Sequence, residues 1–182
     1  LRPAVECWSK YMRRGLFVKP PYFSRSSFQP LVVLDGVAIL KLDCPGKVNV
    51  VSNTLRNEAR DLWWNEVVPD PNIKAAVFIS AKPDNFIAGA DINMMSTLKA
   101  EGREDEMGTI CAEAHSFFDE MKSSGKPLIS AIHGSCLGGG LEWALKCDYR
   151  IATMDRRTQL GLPEVKLGLL PGWNPNYFRA MP

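Results

Sequence analysis

The sequence predicts an α/β layered fold. Three apolar runs of strand length, at residues 75–80, 128–132 and 149–153, alternate with stretches of helical periodicity. A chain of 182 residues, 46% of them hydrophobic, is long enough for one such domain with a sizeable core. Its 22 Lys and Arg against 20 Asp and Glu give a net charge of +2. A general nucleic-acid-binding protein would have a strong excess of basic residues, so this charge balance argues against that class of protein.

The first 30 residues have a composition of their own. They contain six basic residues against one acid, together with serines and six aromatic residues, which is typical of an organelle transit segment. We expect residues 1–30 to be a basic leader, or alternatively a flexible basic tail, outside the folded domain. The longest apolar runs of the chain, at 31–34 and 167–170, are far shorter than the ~20 residues that cross a bilayer. No transmembrane segment is predicted.

The domain is predicted to begin with a β-hairpin. Residues 31–34 and 37–42 are aliphatic runs joined by Asp35-Gly36, a dipeptide that favours a tight two-residue turn. A helix is predicted over 52–67, with Ser52 as its N-cap and apolar residues at helical spacing. The strand at 75–80 follows this helix, and its uninterrupted apolar run is typical of a strand covered on both faces. A helix between two strands indicates a crossover unit.

The second half repeats this alternation. Apolar residues between 104 and 122 recur every three or four positions, which predicts an amphipathic helix that ends before Gly125-Lys126-Pro127. Residues 128–132 are predicted to form a second buried strand. A glycine cluster then begins a short helix that extends to residue 146, and 149–153 forms a third buried strand. No linker or internal sequence repeat interrupts residues 31–172.

Two segments of small residues are candidates for a ligand site. Residues 86–91 and 133–142 each lie at the end of a predicted strand and at the start of a helix, and Asp91 can cap the first of these helices. Small side chains let a ligand approach the backbone closely. Amides at a helix N-terminus carry partial positive charge. Two such amides directed at one oxygen atom make an oxyanion hole.

Other interpretations of the glycine cluster fit poorly. A phosphate-binding loop requires Lys and Ser or Thr after its last glycine, where this chain has Leu141-Glu142. A dinucleotide fingerprint requires a small residue where Trp143 stands. The pattern of a nucleophile elbow is not met around Ser135. A hydrolase that uses Ser135 with His133 remains as an alternative.

Two glutamates are candidate acid–base residues. Glu142 lies in the first turn of the glycine-led helix, and Glu164 lies in an apolar stretch on a later element. Two buried carboxyl groups that converge can share the roles of proton donor and acceptor. Each also has an ordinary interpretation. Glu142 can simply complement the helix dipole, and Glu164 can be a solvated loop residue.

The sequence does not favour a metal or disulfide site. The five cysteines are widely spaced, and no Cys-x-x-Cys pair occurs. We expect them to be reduced thiols, most of them in the core. His115 and His133 have no His or Cys neighbour at ligand spacing.

Over residues 31–172 the chain resembles the crotonase (enoyl-CoA hydratase/isomerase) superfamily. Within it, the chain closely resembles the hydratase domains at the start of mitochondrial trifunctional alpha subunits. The resemblance implies the ClpP/crotonase spiral fold of repeated ββα units. The motifs that carry it are Gly46-Lys47-Val48-Asn49, Phe86-Ile87-Ala88-Gly89-Ala90-Asp91-Ile92, Gly134-Ser135-Cys136-Leu137-Gly138-Gly139-Gly140-Leu141-Glu142, Tyr149-Arg150-Ile151-Ala152-Thr153 and Leu162-Pro163-Glu164-Val165.

The resemblance implies a reaction and a set of site residues. The reaction is the syn addition of water to a trans-2-enoyl-CoA, which gives a 3-hydroxyacyl-CoA in mitochondrial fatty acid β-oxidation, with no metal or redox cofactor. Glu142 and Glu164 would be the catalytic carboxylates, and the backbone amides of Ala90 and Gly139 would form the oxyanion hole. The backbone that lines the coenzyme A (CoA) channel would come from Lys47, Val48, Asn49, Val50, Ala88 and Gly89.

The resemblance also sets expectations about partners and about the end of the domain. In the full-length protein it implies an acyl-CoA substrate, a thiolase-type beta subunit and a homo-oligomer. Family members continue after Gly172 with helices that complete the acyl pocket. We therefore expect 31–172 to be an incomplete hydratase-like domain that lacks these C-terminal helices, followed by a divergent tail at 173–182. An enoyl-CoA isomerase, and a non-catalytic fragment that binds acyl-CoA or a partner, are the alternative functions.

Overall fold

A computed structural model describes residues 16–18, 26–103 and 105–172. The predicted tail at 173–182 and most of the predicted leader lie outside these residues. The strands are β1 (Leu16–Val18), β2 (Val32–Leu34), β3 (Val37–Leu42), β4 (Ala75–Ser80), β5 (Asn85–Ile87), β6 (Leu128–Ile132), β7 (Ser135–Leu137), β8 (Tyr149–Ala152) and β9 (Gln159–Gly161). The α-helices are α1 (Asn53–Leu62), α2 (Ile92–Ala100), α3 (Glu106–Ser123) and α4 (Gly139–Lys146).

The strands form two sheets. The larger sheet has the order β1-β2-β3-β4-β6-β8, and its strands from β3 onward are parallel. The smaller sheet, β5-β7-β9, is entirely parallel. Each of β4, β6 and β8 is followed directly by a strand of the smaller sheet and then by a helical segment. This is the repeated ββα arrangement implied by the resemblance, so the predicted fold is confirmed.

The opening hairpin has the predicted turn. Asp35 and Gly36 have φ angles of 48° and 79°. Two successive residues with positive φ give the twist that matches paired strands, and β2 pairs antiparallel with β3 as expected.

Residues 16–18 and 26–30 also belong to the fold, contrary to the expectation from composition. β1 pairs antiparallel with β2. Phe28 is 6% exposed and forms a bridge with Leu42. The carboxylate of Glu58 accepts hydrogen bonds from the backbone N–H groups of Ser26 and Ser27. The gain from burying Phe28 and from these bonds explains why a segment of leader-like composition packs against the sheet.

Helix α1 begins as predicted and ends differently. The Ser52 side chain accepts a hydrogen bond from the Leu55 N–H at 3.1 Å and caps the helix. Beyond Leu62 the chain continues as a π-helical turn, Trp63–Val67. The Lys126 ammonium donates to the carbonyl of Val67 at 2.6 Å, which satisfies a carbonyl at the end of this turn.

The core is centred on Trp143 of α4. Its ring lies 5.1 Å from that of Phe78 in β4, and 5.4 and 5.0 Å from those of Phe117 and Phe118 in α3. These rings are at most 1% exposed. Helices α3 and α4 thus pack against each other and against β4 of the larger sheet.

Strand β8 differs from the prediction of a buried strand. Tyr149 and Ile151 are 64% and 66% exposed. β8 is an edge strand, and within the described residues nothing packs over its faces. The apolar run thus predicted a strand correctly, but the prediction that this strand is buried was wrong.

In the described part of the chain, no helix combines the length and the hydropathy needed to span a membrane. Cys44, Cys111, Cys136 and Cys147 are free thiols, as expected. Cys7 lies outside the described residues.

Candidate active site

A cavity of about 330 Å³ lies where the two segments of small residues meet. Ala90 from the first segment and Gly139 from the second contribute to its wall, as do Glu142 and Glu164. The four residues proposed for the chemistry on sequence grounds are therefore brought together around one space. Most of the remaining lining is apolar.

The first segment is held by a short parallel bridge between Val51 and Ala90. The Val51 N–H donates to the Gly89 carbonyl at 2.8 Å, and the Asp91 N–H donates to the Val51 carbonyl at 3.2 Å. In such a bridge the residue between the two bonded neighbours directs its own N–H to the other side. The Ala90 amide therefore points away from Val51. The Asp91 side chain accepts from the Asn93 and Met94 amides and caps α2, as predicted.

The second segment begins helix α4. Gly138 has φ 51° and ψ −127°, a conformation that a residue with a Cβ adopts only at high cost. Its N–H donates to the Gly161 carbonyl at 2.9 Å and so ties the turn to β9. Gly139 is the first residue of the helix, where an amide has no acceptor within the helix. This amide lies at the positive end of the helix dipole.

At Gly140 the two segments approach so closely that a side chain does not fit between them. A Cβ on Gly140 would lie 2.3 Å from the Ile87 carbonyl oxygen. A Cβ on Gly89 would lie 3.5 Å from the carbonyl oxygen of Leu137, an ordinary contact, and this residue is restricted instead by its φ of 136°, which favours glycine. The glycines thus have a steric role, since they bring the turn that bears the Ala90 amide against the turn that bears the Gly139 amide.

Both candidate carboxylates face this junction. Glu142 is in the first turn of α4 and is only 3% exposed, so it is not simply a solvated residue near a helix dipole. Glu164 lies in a 3₁₀ turn, Pro163–Leu167, and is half-buried. Its Oε1 would lie 2.8 Å from a Cβ at Gly138, and its buried Oε2 has no hydrogen-bond partner among the described residues. The partly buried position of Glu164 does not fit the interpretation as a solvated loop residue, whereas Glu142 in the first turn of α4 can also complement the helix dipole.

The residues predicted to line the CoA channel differ in their exposure and in whether they line the cavity. Lys47 and Val48 are exposed, and Val50 is half-buried. Ala88 and Gly89 line the cavity. Their CoA contacts stay predictions.

Asn49, by contrast, is completely buried. Its Oδ1 accepts from the Cys44 N–H at 2.9 Å, and its Nδ2 donates to the Ser80 hydroxyl at 2.8 Å and to the Phe86 carbonyl at 2.9 Å. Its carbonyl accepts from the Ala88 N–H at 2.8 Å. The side chain of Asn49 therefore fixes the local structure, and its hydrogen-bonding groups are used within the protein.

An ion pair stands beside this segment. The Lys82 ammonium lies 2.7 Å from Asp43 Oδ1. This hydrogen bond, with a second one from Gln29, holds the pKa of the Asp43 carboxyl below its usual range. The pair joins the ends of β3 and β4 close to the predicted CoA segment.

The hydrolase alternative gains no support from the geometry. His133 Nε2 makes a 2.6 Å hydrogen bond with the Lys82 carbonyl. In the described ranges, His, Cys, Asp and Glu form no group of three that could hold a metal ion.

Several cavity residues were not identified from the sequence. Cys111 of α3, Met95 of α2 and the segment with Leu169 and Leu170 complete the wall. Cys111 belongs to the apolar stripe of its helix, and this pattern predicts a core residue. The His115 ring hydrogen-bonds the Gly172 carbonyl at 3.0 Å and holds the end of the Leu169 segment against α3.

Comparisons with known proteins agree with the fold and the motifs. The family described as enoyl-CoA hydratase/isomerase matches residues 33–181. The alpha subunit of a fatty acid oxidation complex from Shewanella sp. (strain W3-18-1) is 43% identical over 139 residues, which are 76% of this chain and 19% of that protein.

Solved structures give the same result. An enoyl-CoA hydratase from Geobacillus kaustophilus HTA426 has a TM-score of 0.74 and 29% identity, and the match covers 87% of this chain and 57% of that one. A protein described as a putative enoyl-CoA hydratase/isomerase (crotonase) from Legionella pneumophila has a TM-score of 0.73 and 29% identity, and covers 86% and 59%. The chain thus spans less than two thirds of the length of these relatives. It belongs to the enoyl-CoA hydratase/isomerase (crotonase) family.

Proposed function

We propose that the chain is an enoyl-CoA hydratase that adds water syn to the 2,3 double bond of a trans-2-enoyl-CoA. The product is a 3-hydroxyacyl-CoA, and the reaction belongs to fatty acid β-oxidation. One observation carries the proposal: two carboxylates and two amide-bearing turns line a single, largely apolar cavity. An isomerase needs only one carboxylate to move a proton between carbons, so a second acid at the same cavity favours hydration.

The amides stabilise the charge that develops during the reaction. Attack of a water oxygen at C3 moves the electrons of the double bond through C2 onto the thioester oxygen. The N–H groups of Ala90 and Gly139 donate to this oxygen as it becomes an enolate. Loss of one such donor typically raises the barrier by ~3 kcal/mol.

The carboxylates exchange protons with the water and the substrate. One carboxylate removes a proton from the water while the oxygen of that water bonds to C3. The other group, as a carboxylic acid, delivers a proton to C2. Glu142 and Glu164 are on different elements and line the same cavity, and the proposed step requires that a single water lies between them. Proton exchange between the two groups restores the starting state. The reaction requires neither a metal nor a redox cofactor.

We also propose the setting of the reaction. Backbone groups at Lys47, Val48, Asn49 and Val50, with Ala88 and Gly89, border the channel for CoA. The basic composition of residues 1–30 supports import into mitochondria. A thiolase-type beta subunit and a homo-oligomer in the full-length protein are supported by the similarity to an alpha subunit of a fatty acid oxidation complex.

The test compares the wild-type chain with Glu164→Gln and with the control Glu120→Gln, which changes a partly exposed glutamate of α3 that does not line the cavity. Crotonyl-CoA, a longer trans-2-enoyl-CoA and a 3-enoyl-CoA are each incubated with the protein, and hydration, isomerisation and binding are measured. We expect hydration by the wild type and the control, and its loss in Glu164→Gln.

Three results would contradict the proposal. Isomerisation without hydration would identify an isomerase that uses one carboxylate. Binding without turnover would identify a fragment that only holds acyl-CoA. Hydration that persists undiminished in Glu164→Gln would remove this glutamate from the mechanism.

A further inference from the structure

A buried amide side chain lies between the two segments that carry the proposed oxyanion amides. Asn85, the first residue of β5, is 3% exposed. Its Oδ1 accepts a hydrogen bond from the Asn49 N–H at 2.7 Å, and its Nδ2 donates to the Ser135 carbonyl at 3.3 Å. One side chain therefore joins the loop before α1 to strand β7.

From Asn49 the connection runs to the first amide. The Asn49 carbonyl accepts from the Ala88 N–H at 2.8 Å, and its Nδ2 donates to the Phe86 carbonyl at 2.9 Å. Two residues beyond Ala88 is Ala90, itself held by the bridge to Val51. The position of the Ala90 amide is thus tied to Asn49, and through Asn49 to the Asn85 carboxamide.

From Ser135 the connection runs to the second amide. Ser135 begins β7, which has three residues and leads directly into Gly138 and Gly139. The register between β5 and β7 is irregular here: Asn85 is opposite Ser135, whereas Ile87 is opposite Cys136. The extra residue weakens the backbone ladder at this point, so the Asn85 side chain supplies a link that the backbone does not.

We propose that Asn85 is a positioning residue that sets the separation between the Ala90 and Gly139 amides. This inference rests on the proposed function, because the separation matters only if both amides hold one thioester oxygen. Replacement of the carboxamide leaves Asn49 N–H without its acceptor and Ser135 C=O without this donor, and the two turns are then free to shift relative to each other. A displacement of about 1 Å at reacting groups can reduce a rate about 100-fold.

The test compares Asn85→Ala with two other variants. Asn85→Asp keeps the acceptor for the Asn49 N–H and loses the donor to Ser135. Ser130→Ala is the matched control, since it removes a fully buried hydroxyl that donates to Cys147 Sγ, away from the cavity. We expect kcat for crotonyl-CoA to fall about 10- to 100-fold in Asn85→Ala while KM changes less than about threefold. We expect a smaller fall in Asn85→Asp and unchanged kinetics in Ser130→Ala.

A second measurement reports the amides without turnover. Infrared spectra of bound butyryl-CoA labelled with ¹³C at the carbonyl give the stretching frequency of the thioester C=O, which falls when N–H donors polarise it. We expect a lowered frequency in wild type and Ser130→Ala, and a return towards the free value in Asn85→Ala.

The outcomes separate this inference from the proposed function. Equal losses of kcat in Asn85→Ala and Ser130→Ala, or an unchanged C=O frequency in Asn85→Ala, would overturn the positioning role. If the wild type binds the thioester without hydrating it, the proposed function fails and the frequency alone decides the role of Asn85. If it binds no thioester, both are overturned.

Discussion

Gly140→Ala tests whether the close approach of the two glycine-containing turns is required for stability and activity. A Cβ at this position would lie 2.3 Å from the Ile87 carbonyl oxygen and 2.8 Å from the Ile87 Cβ. Since comfortable non-bonded contacts begin at about 3.5 Å, the helix start or β5 must move by about 1 Å. Overpacking of this kind costs ~1–3 kcal/mol, and the better helix propensity of alanine returns ~1 kcal/mol. We expect a net loss of up to roughly 2 kcal/mol in the free energy of unfolding.

The same displacement separates the two amides. Gly139 is the residue before the substitution, and Ala90 follows Ile87 by three positions, so movement at this contact changes the geometry at the thioester oxygen. We expect hydration of crotonyl-CoA to fall about 100-fold. Urea denaturation and steady-state hydration rates measure the two effects.

Gly108→Ala is the matched control. Gly108 also lies near the start of a helix, α3, but a Cβ there meets nothing within 4 Å. We expect this variant to be fully active and up to ~1 kcal/mol more stable, because alanine costs less backbone entropy in a helix. If Gly140→Ala is as stable and as active as Gly108→Ala, the steric argument for the paired turns is refuted.

Three further predictions concern the cap of α1, two buried thiols and one ion pair. Ser52→Ala removes the cap of α1 and should lower the free energy of unfolding by ~1 kcal/mol in urea denaturation; an unchanged midpoint would contradict the cap. Burial raises the pKa values of Cys136 and Cys147 to about 12, so both should resist iodoacetamide in the native protein at pH 8. The thiols lose their protons at a lower pH in the unfolded chain than in the folded protein. The stability that the two protonated thiols contribute should therefore be lost as pH rises from about 9 towards 12. The hydrogen bond from Lys82 lowers the pKa of Asp43. The contribution of this bond to the free energy of unfolding should therefore be present above pH 3.8, the ordinary pKa of the group, and should be lost as pH falls below that value. Unfolding midpoints against pH, compared with Asp43→Asn, measure this, and identical profiles would contradict it.

The parts of the fold that local sequence determines were predictable. The hairpin turn at Asp35-Gly36 requires positive φ at both positions, and the Ser52 cap is a contact within one turn. The strands at Ala75–Ser80 and Leu128–Ile132 are uninterrupted apolar runs. Each of these features is decided by residues close together in the chain.

The smaller sheet was not predictable in the same way. β7 and β9 have three residues each, and their strand conformation comes from pairing with partners more than 20 residues away. The exposure of β8 depends on which elements pack over it, and an apolar run does not determine this. The inclusion of Phe28 in the core likewise depends on a distant partner, Leu42.

The site was only partly predictable for a related reason. Taken singly, Glu142 and Glu164 have ordinary interpretations, and it was the resemblance that paired them. Their convergence depends on the Gly138 N–H bond to Gly161, which places the turn bearing Glu164 beside the start of α4. The role of Asn85 has no sequence signature, since a buried carboxamide between two loops is visible only after the loops are folded.

Hydration of crotonyl-CoA in D₂O tests most directly whether two carboxylates act on one substrate across a single cavity. The wild type should give a product with one deuteron at C2, on the same face as the C3 hydroxyl, and Glu142→Gln and Glu164→Gln should each be slower by about 100-fold or more. A product of mixed configuration at C2, or wild-type rates in either variant, would contradict this mechanism.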